Sequence, residues 1–309
     1  NNIRLVTEFN RSEIEKRGGD PDRESLTLVF TKEGKAYYKT PEGEYYRVYI
    51  FIENAKGYDV VEKPEHFYES AVAFGKFAML LDRFDSSQLF EVLPDFHNTV
   101  KRFENLKKAI AENKSGRLDT VKAEVEFALS REALVSKIVN QLADGSIPCK
   151  VTHNDTKLNN VLIDNATGKA VAVIDLDTIM PGLSLYDFGD SIRSGAVTSD
   201  ENEQDLNKYG LDINLFKSYT EGFLSEAGHA LNEEEIANLA FSAKLMTLEC
   251  GVRFLTDYLN GDTYFKTEYP EHNLVRCRTQ FKLVEDIEKH MDEMNECVNE
   301  IYRRSLIEG

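Results

Sequence analysis

The chain has 309 residues, 41% hydrophobic and 29% charged, with 37 basic against 54 acidic side chains and a formal net charge of −17. Such an acidic chain, with no block of lysines and arginines and no apolar run near the roughly 18 residues of a membrane span, excludes nucleic-acid and membrane partners and points to small molecules. One or two domains are expected; the absence of a signal-peptide pattern at the start and the scattered Cys149, Cys250, Cys277 and Cys297, none in a CxxC pair, read as a cytoplasmic protein with reduced thiols.

Asn1 to Lys16 carries Ile3, Val6 and Phe9 at helical spacing and stops at the breaker cluster Gly18-Gly19-Asp20-Pro21, so a short helix is expected there. Three β-branched and aromatic stretches follow: Leu26 to Thr31, Lys35 to Lys39 and Tyr45 to Glu53. The turn sequences Glu33-Gly34 and Pro41-Glu42-Gly43 between them predict an antiparallel meander. From Glu65 to Phe84 apolar residues recur at three and four, and similar helical patterns fill Asp95 to Glu112, with Asp95 as cap, and Asp119 to Asp144. Lys150 to His153, Val161 to Asp164 and Ala170 to Leu176 are short apolar runs; Asn165-Ala166-Thr167-Gly168 joins the last two into a hairpin among helices. Helices are expected again over Leu206 to Ala227, over Asn232 to Leu259 with Asn232 as cap, and over about Leu274 to Arg304.

The chemistry concentrates around the hairpin. Val151-Thr152-His153-Asn154-Asp155-Thr156-Lys157-Leu158-Asn159-Asn160 contains HxDxxxxN, and Asp175 ends the strand after it in Ile174-Asp175-Leu176-Asp177. Phosphoryl transfer needs a carboxylate near the attacking hydroxyl, oxygen ligands for a metal on the phosphates, and a cation for the transferred group. Only Thr156 to Asn159 separate Asp155 from Asn160, and the hairpin returns Asp175 beside Asn160, so a base and two oxygen ligands are expected to converge. Oxygen ligands suit Mg2+.

With these residues the chain resembles protein kinases in the broad sense, and more closely the aminoglycoside phosphotransferase and choline kinase branch, whose YD motif is matched by Tyr186-Asp187-Phe188-Gly189-Asp190. The runs HNDTKLNNVL, IDLDTIMPGLSLYDFGDSIRSGA and ECGVRFLTDYLNGD are similar to bacterial N-acetylhexosamine 1-kinases, a resemblance that extends from near Asn1 to about Arg304. It implies an α+β, protein-kinase-like, two-lobed fold with a small antiparallel β N-terminal lobe, shortened at its start and spanning residues 1–55, and a large, mainly helical C-terminal lobe over 56–309. It also implies transfer of the terminal phosphate of ATP, with Mg2+, to the anomeric hydroxyl of an N-acetylhexosamine. In that match Asp155 is the catalytic base, Lys157 faces the moving phosphate, Asn160 and Asp175 hold Mg2+, and Arg253 and Tyr264 lie near the sugar. His153 is counted with this catalytic set, where in this fold type it orders the loop by hydrogen bonding. Glu53 and Asn54 follow the last N-lobe strand, the position of an interlobe connection that offers backbone groups to adenine.

Other readings of the same residues stay open. Asp155 and Asn160 also suit a cap and a turn, and Asp177 fits either a metal ligand or a solvated strand end. Asp187 is expected to tie backbone amides of the loop. Arg253 has Glu249 and Asp257 four positions to either side, so intrahelical ion pairs account for it by spacing alone. Tyr264 stands in an aromatic stretch with Tyr258, Phe265 and Tyr269, where packing is the ordinary role. The alternative functions are an aminoglycoside or other small-alcohol kinase and a catalytically idle kinase-like binding module; no GxSxG elbow supports a serine hydrolase.

A Gly-rich loop and a phosphate-pairing strand lysine are expected in a kinase of this kind, and Gly18, Gly19, Gly34 and Gly43 do not sit in such a pattern. Because the chain opens on Asn1, an upstream segment is expected in the parent protein. Each charge-assisted phosphate contact contributes on the order of 1.5 to 3 kcal/mol, so weak nucleotide binding is expected of these 309 residues alone.

Overall fold

The helical spacing of Ile3 and Val6 is realised as α1 (Asn2–Lys16) in the computed structural model, which describes residues 1–308; Gly309, the last residue of the expected helical lobe, lies outside it. After the short α2 (Pro21–Glu24), capped by the Asp20 carboxylate, come four two-residue strands: β1 (Leu28–Val29), β2 (Tyr38–Lys39), β3 (Tyr45–Tyr46) and β4 (Val48–Tyr49). They are not the expected meander. β2 pairs with β3 and β1 with β4, both antiparallel, so one ribbon is nested inside the other. The third predicted strand breaks at Arg47, between Tyr46 in the inner ribbon and Val48 in the outer one, which turns its two halves to different partners.

β5 (Ala55–Lys56) leaves this region and pairs with β7 (Val161–Asp164), which pairs in turn with β8 (Ala170–Val173), the predicted hairpin. β6 (Lys150–Thr152) joins neither; it pairs with β9 (Met180–Gly182), a strand the sequence reading did not assign. Ile3, Val6, Leu26 and Leu28 share one buried cluster with Phe74, Phe77, Val161, Ile163 and Val173, so the first 55 residues are anchored on the hairpin and the helix behind it. At the hairpin's turn, Asp164 Oδ1 accepts the N–H groups of Ala166 and Thr167 at 2.9 and 2.8 Å, and Arg23 pairs with its other oxygen.

The rest is helical: α3 (Pro64–Leu81), α4 (Thr99–Glu112), α5 (Lys122–Leu129), α6 (Lys137–Ala143), α7 (Ser184–Gly195), α8 (Ile213–Ala227), α9 (Glu233–Asn260) and α10 (His272–Glu308). α9 begins as expected at Asn232, in a capping box with Glu235. α4 does not begin at Asp95. Asn98 caps it by accepting from Lys101 N at 3.1 Å, while Asp95 takes a left-handed φ of 57° and holds the Asn98 amide. The helix predicted over Asp119 to Asp144 is broken into α5, a 3-10 turn at Glu132–Leu134 and α6; Arg131 at the break turns aside to Glu288 on α10. The helix predicted from Leu206 begins only at Ile213, where the Asp212 carboxylate accepts from Asn214 and Leu215 N–H.

α3, α7, α8, α9 and α10 enclose the main core, with Phe67, Phe188, Tyr219, Phe223 and Ile287 buried in it. Its closest approaches are made at glycine. A Cβ on Gly189 of α7 would lie 2.5 Å from the Ser242 carbonyl of α9, and one on Gly222 of α8 would lie 2.6 Å from the Tyr68 carbonyl of α3. All four cysteines are unpaired. No described helix is long and apolar enough to cross a membrane.

Hydrogen bonds, led by the Thr167 N–H, hold the Asp164 carboxyl down from its ordinary 3.8 to about 2. A depressed carboxyl stabilises the fold above its unfolded pKa and loses that contribution as pH falls through the folded one. Thermal midpoints of the native chain are therefore expected to drop relative to Asp164→Ala as pH is lowered from about 4 to about 2, and parallel curves would contradict this.

Candidate active site

β6 ends at Thr152 and the chain turns through Asn154, whose left-handed φ of 65° swings it away from the strand. Asn tolerates this conformation because its short amide bonds locally, and here Nδ2 donates to the Thr152 and Thr178 carbonyls at 3.1 and 3.0 Å. One half-buried carboxylate holds the turn: Asp187 accepts the N–H of His153 at 2.9 Å and that of Asn154 at 2.8 Å, which is the amide-tying expected of it. Burial pushes its carboxyl up, against the pull of His153 and these two amides. The Thr156 hydroxyl donates to the Asp187 carbonyl and the Ser191 hydroxyl to the Thr156 carbonyl, at 2.6 and 2.9 Å, so the whole loop is fastened to α7.

His153 has no exposed surface and stands edge-on to Phe74, with ring centroids 5.5 Å apart. Its Nε2 faces the Ile174 carbonyl at 2.9 Å, which only accepts, so Nε2 carries the proton. Nδ1 then accepts from Asp155 N at 3.2 Å. Both ring nitrogens are thus spent on backbone, one on each side of the candidate site.

Asp155 is partly exposed. Lys157 Nζ donates to its Oδ1 at 2.8 Å, and Asn160 Nδ2 lies 3.3 Å from its Oδ2 and 2.8 Å from its carbonyl. Desolvation works against the Lys157 ammonium, but the Asp155 carboxylate outweighs it and holds the pKa above the usual lysine range. Asn160 closes the 3-10 turn Leu158–Asn160, and its carbonyl accepts from Ile174 N at 2.9 Å, which sets Asp175 next to it across the hairpin. Asp175 is exposed with a left-handed φ of 57°, and its carboxylate has no hydrogen-bond partner among the described residues. Asp155, Asn160 and Asp175 are therefore brought together. Asp177 is drawn off: its carboxylate pairs with Arg47 beside β4.

The donor set can be tested for a hard cation. Asn160 spends its amide N–H on Asp155, which leaves Oδ1 as an oxygen donor, and the Asp175 carboxylate is free. Two such oxygens beside Asp155 suit Mg2+, which takes one or two protein carboxylates and keeps water for the rest. No group of three or more His, Cys, Asp and Glu side chains arranged for a metal occurs among the described residues.

At the interlobe position, the Glu53 carbonyl accepts from Arg23 at 2.7 Å and the Asn54 carbonyl from Asn165 N at 2.9 Å. Each carbonyl thus already has one donor and one lone pair left.

Arg253 and Tyr264 line a separate cleft of about 310 Å³ between α4 and the α9–α10 connection. The intrahelical ion pairs expected of Arg253 do not form. Glu249 is buried and bonds His97 Nδ1 at 2.9 Å and the Thr99 hydroxyl at 2.6 Å. Asp257 accepts the N–H groups of Thr263, Tyr264 and Phe265 and the amide of Asn273, all within 3.0 Å, and so builds the loop that presents Tyr264. Arg253 lies instead against Phe96, Phe265 and Tyr264, 5.1, 5.5 and 6.0 Å from their ring centroids; Tyr264 itself is 69% exposed.

One group the sequence reading passed over is Arg193. Fully buried, it forks onto Asp190 at 2.8 Å and Glu201 at 3.1 Å, and Asp190 in turn supports the Lys157 charge. The only signal was the i, i+3 spacing of Asp190 and Arg193.

Asp187→Ala strands two buried amides, at about 1–3 kcal/mol each. Asp187→Asn, which keeps one accepting oxygen, is expected to lose less. Urea unfolding midpoints of the two variants check that order, and equal losses would show that the amide bonds do not anchor the loop.

The family model of the phosphotransferase enzyme family matches residues 33–215, more than half of the chain and all of the loop from His153 to Asp177. Among solved structures, the chain is similar to an aminoglycoside phosphotransferase from Alicyclobacillus acidocaldarius, with a TM-score of 0.62, 14% identity, and coverage of 97% of this chain and 84% of that one. It is also similar to a choline/ethanolamine kinase family protein from Mesorhizobium loti, with a TM-score of 0.51, 16% identity, and coverage of 96% and 84%. An AMP-bound spectinomycin phosphotransferase aligns with a TM-score of 0.50 at 15% identity over 91% of this chain and 82% of that one. At such identities these structures speak for the fold, and together with the family match they show that the chain belongs to the phosphotransferase enzyme family, with a protein-kinase-like α+β fold.

Proposed function

We propose that the chain is a sugar kinase that moves the terminal phosphate of ATP to the anomeric hydroxyl of N-acetylglucosamine or N-acetylgalactosamine. The reading is carried by the hydrogen-bonded cluster of Asp155, Lys157 and Asn160 with Asp175 beside it. Asp155 orients the acceptor hydroxyl and takes its proton as the oxygen bonds to the terminal phosphorus. The bond to the bridging oxygen then breaks and ADP leaves. Lys157 meets the charge that develops on the transferred group. Asn160 and Asp175 are the residues that would hold Mg2+, which when bound screens the phosphate oxygens. His153, whose two nitrogens are engaged by backbone, acts by positioning Asp155. Asp177, paired with Arg47, is left outside the ligand set.

Residues 1–55 are proposed as the nucleotide side and the helical remainder as the acceptor side. ATP as donor is in keeping with the spectinomycin phosphotransferase that holds AMP. The Glu53 and Asn54 carbonyls each accept one hydrogen bond already and keep a second lone pair to offer adenine. The cytoplasm is the proposed compartment, in keeping with four free thiols.

The acceptor class follows from charge. The cleft bearing Arg253 and Tyr264 is also lined by Arg102, Lys108 and Lys114, a poor setting for a polycationic aminoglycoside or a choline-like cation. A neutral N-acetylhexosamine meets no such repulsion, and a guanidinium forks onto its hydroxyls.

Phosphate transfer from ATP to a panel of N-acetylhexosamines, aminoglycosides and choline tests the reading. Transfer to the hexosamines alone is expected, with Asp155→Asn slower by roughly 10²–10⁴-fold. Preference for the cationic acceptors, or an Asp155→Asn rate equal to the native one, would overturn it.

A further inference from the structure

In a chain with a net charge of −17, the cleft between α4 and the α9–α10 connection is lined by four cations. Two acids line it as well, and neither is ion-paired with its arginines. Glu112 pairs with Lys114 at 3.1 Å, and both oxygens of Asp257 are filled by the loop it organises. Arg253 has no hydrogen-bond or ion-pair partner among the described residues and rests on aromatic faces. Arg102 flanks the same Phe96 ring and donates Nε and Nη2 to the Phe96 carbonyl, a neutral acceptor, at 3.1 and 2.5 Å. Lys108, one and a half turns along α4, is exposed and likewise unpartnered among the described residues. Burial and then the charge of Arg253 disfavour the Arg102 cation, and the carboxylates of Glu249 and Asp95 offset them only in part, so its pKa lies below the usual arginine range. Two half-buried guanidinium groups thus share one cleft with no carboxylate ion-paired to either among the described residues, an arrangement that an entering anion improves.

We propose that this cleft is an oxyanion site that takes a phosphomonoester dianion. Three cations without an ion-pair partner among the described residues match a dianion better than a carboxylate. Guanidinium groups fork onto phosphate oxygens, and the amides and hydroxyls of Asn105, Thr256 and Asn260 line the remaining volume with groups suited to a sugar. The same chemistry comes from free phosphate or from a phosphorylated sugar such as the product of the proposed reaction. The inference goes beyond the acceptor reading, with which it shares Arg253 and Tyr264, because it stands on charge and requires no transfer.

Calorimetry on the full chain at low ionic strength, with inorganic phosphate, N-acetylglucosamine 1-phosphate and neutral N-acetylglucosamine as separate ligands, tests it without catalysis. Both phosphates, or the sugar phosphate alone, are expected to bind, with affinity that falls as salt is added. Arg102→Gln is expected to weaken that binding about tenfold, the loss of one charge-assisted contact, and to weaken binding of the neutral sugar by much less. Lys108→Gln, at an exposed position with no packing role, is expected to weaken it several-fold, so the test survives if the Arg102 variant misfolds. Absence of phosphate binding to the native chain, or unchanged binding in a folded Arg102→Gln or in Lys108→Gln, would overturn the site. Transfer to hexosamines in the presence of either result leaves the kinase reading standing, so the two stand or fall separately.

Discussion

A single half-buried carboxylate carries the geometry of the candidate active site. Asp187 accepts the N–H groups of His153 and Asn154, and those two residues fix where Asp155 begins. A carboxylate taken out of water is costly unless its lone pairs are filled, and a charge-assisted bond to each of two amides fills them without a counter-cation. The arrangement needs α7 deep in the core, which is where Gly189 enters: its missing Cβ lets α7 meet the Ser242 carbonyl of α9 at a distance any side chain would forbid. One glycine thus sets the depth of the helix, the depth of the helix sets Asp187, and Asp187 sets the loop.

Periodicity made the long elements legible. The spacing of Phe67, Ala71, Phe74, Phe77 and Leu81 predicts α3 because one helical face is buried, and Asn232 with Glu235 marks the start of α9 because a capping box is local chemistry. The candidate cluster was legible for the same reason, since Asp155 and Asn160 are joined by one short turn and Asp175 returns on a hairpin whose turn is written in the sequence. What escaped depended on distant partners. α7 has two glycines and three charged residues, and reads as helix only once its neighbours in the core are known. The pairing of β2 with β3 and of β1 with β4 is a choice between registers of two-residue strands, whose exposed tyrosines favour neither. β6 and β9 are separated by the whole hairpin, so no local pattern joins them.

Arg253 shows how magnitude decides between two readings. An intrahelical pair with Glu249 or Asp257 stabilises a helix by about 0.2–0.5 kcal/mol. Each charge-assisted hydrogen bond that those carboxylates make elsewhere contributes about 1.5–3 kcal/mol. Glu249 makes two, to His97 and Thr99, and Asp257 makes five, to the loop and Asn273. The helix spacing is correct and the pairs still lose. The consequence is a cationic cleft in an acidic chain, produced by acids that are engaged elsewhere and leave the guanidinium with aromatic faces alone.

The same comparison separates what holds the N-terminal ribbons from what orients them. Arg23 with Asp164 and Arg47 with Asp177 both reach from this segment to the β7–β8 hairpin and the strand exit after it, and both are partly exposed. Exposed pairs contribute about 0–1 kcal/mol. Burying Leu26 and Leu28 against Phe74, Val161 and Val173 contributes about 1.5–3 kcal/mol per side chain, so adhesion is apolar. Apolar contact has little directional preference, however, and two leucines alone would let the ribbons pivot on the hairpin. The two arginines remove that freedom by fixing points at opposite ends of β8, near Asp164 and near Asp177. The strand exit that carries Asp175 therefore lies inside a frame whose energy comes from the leucines and whose angle comes from the ion pairs.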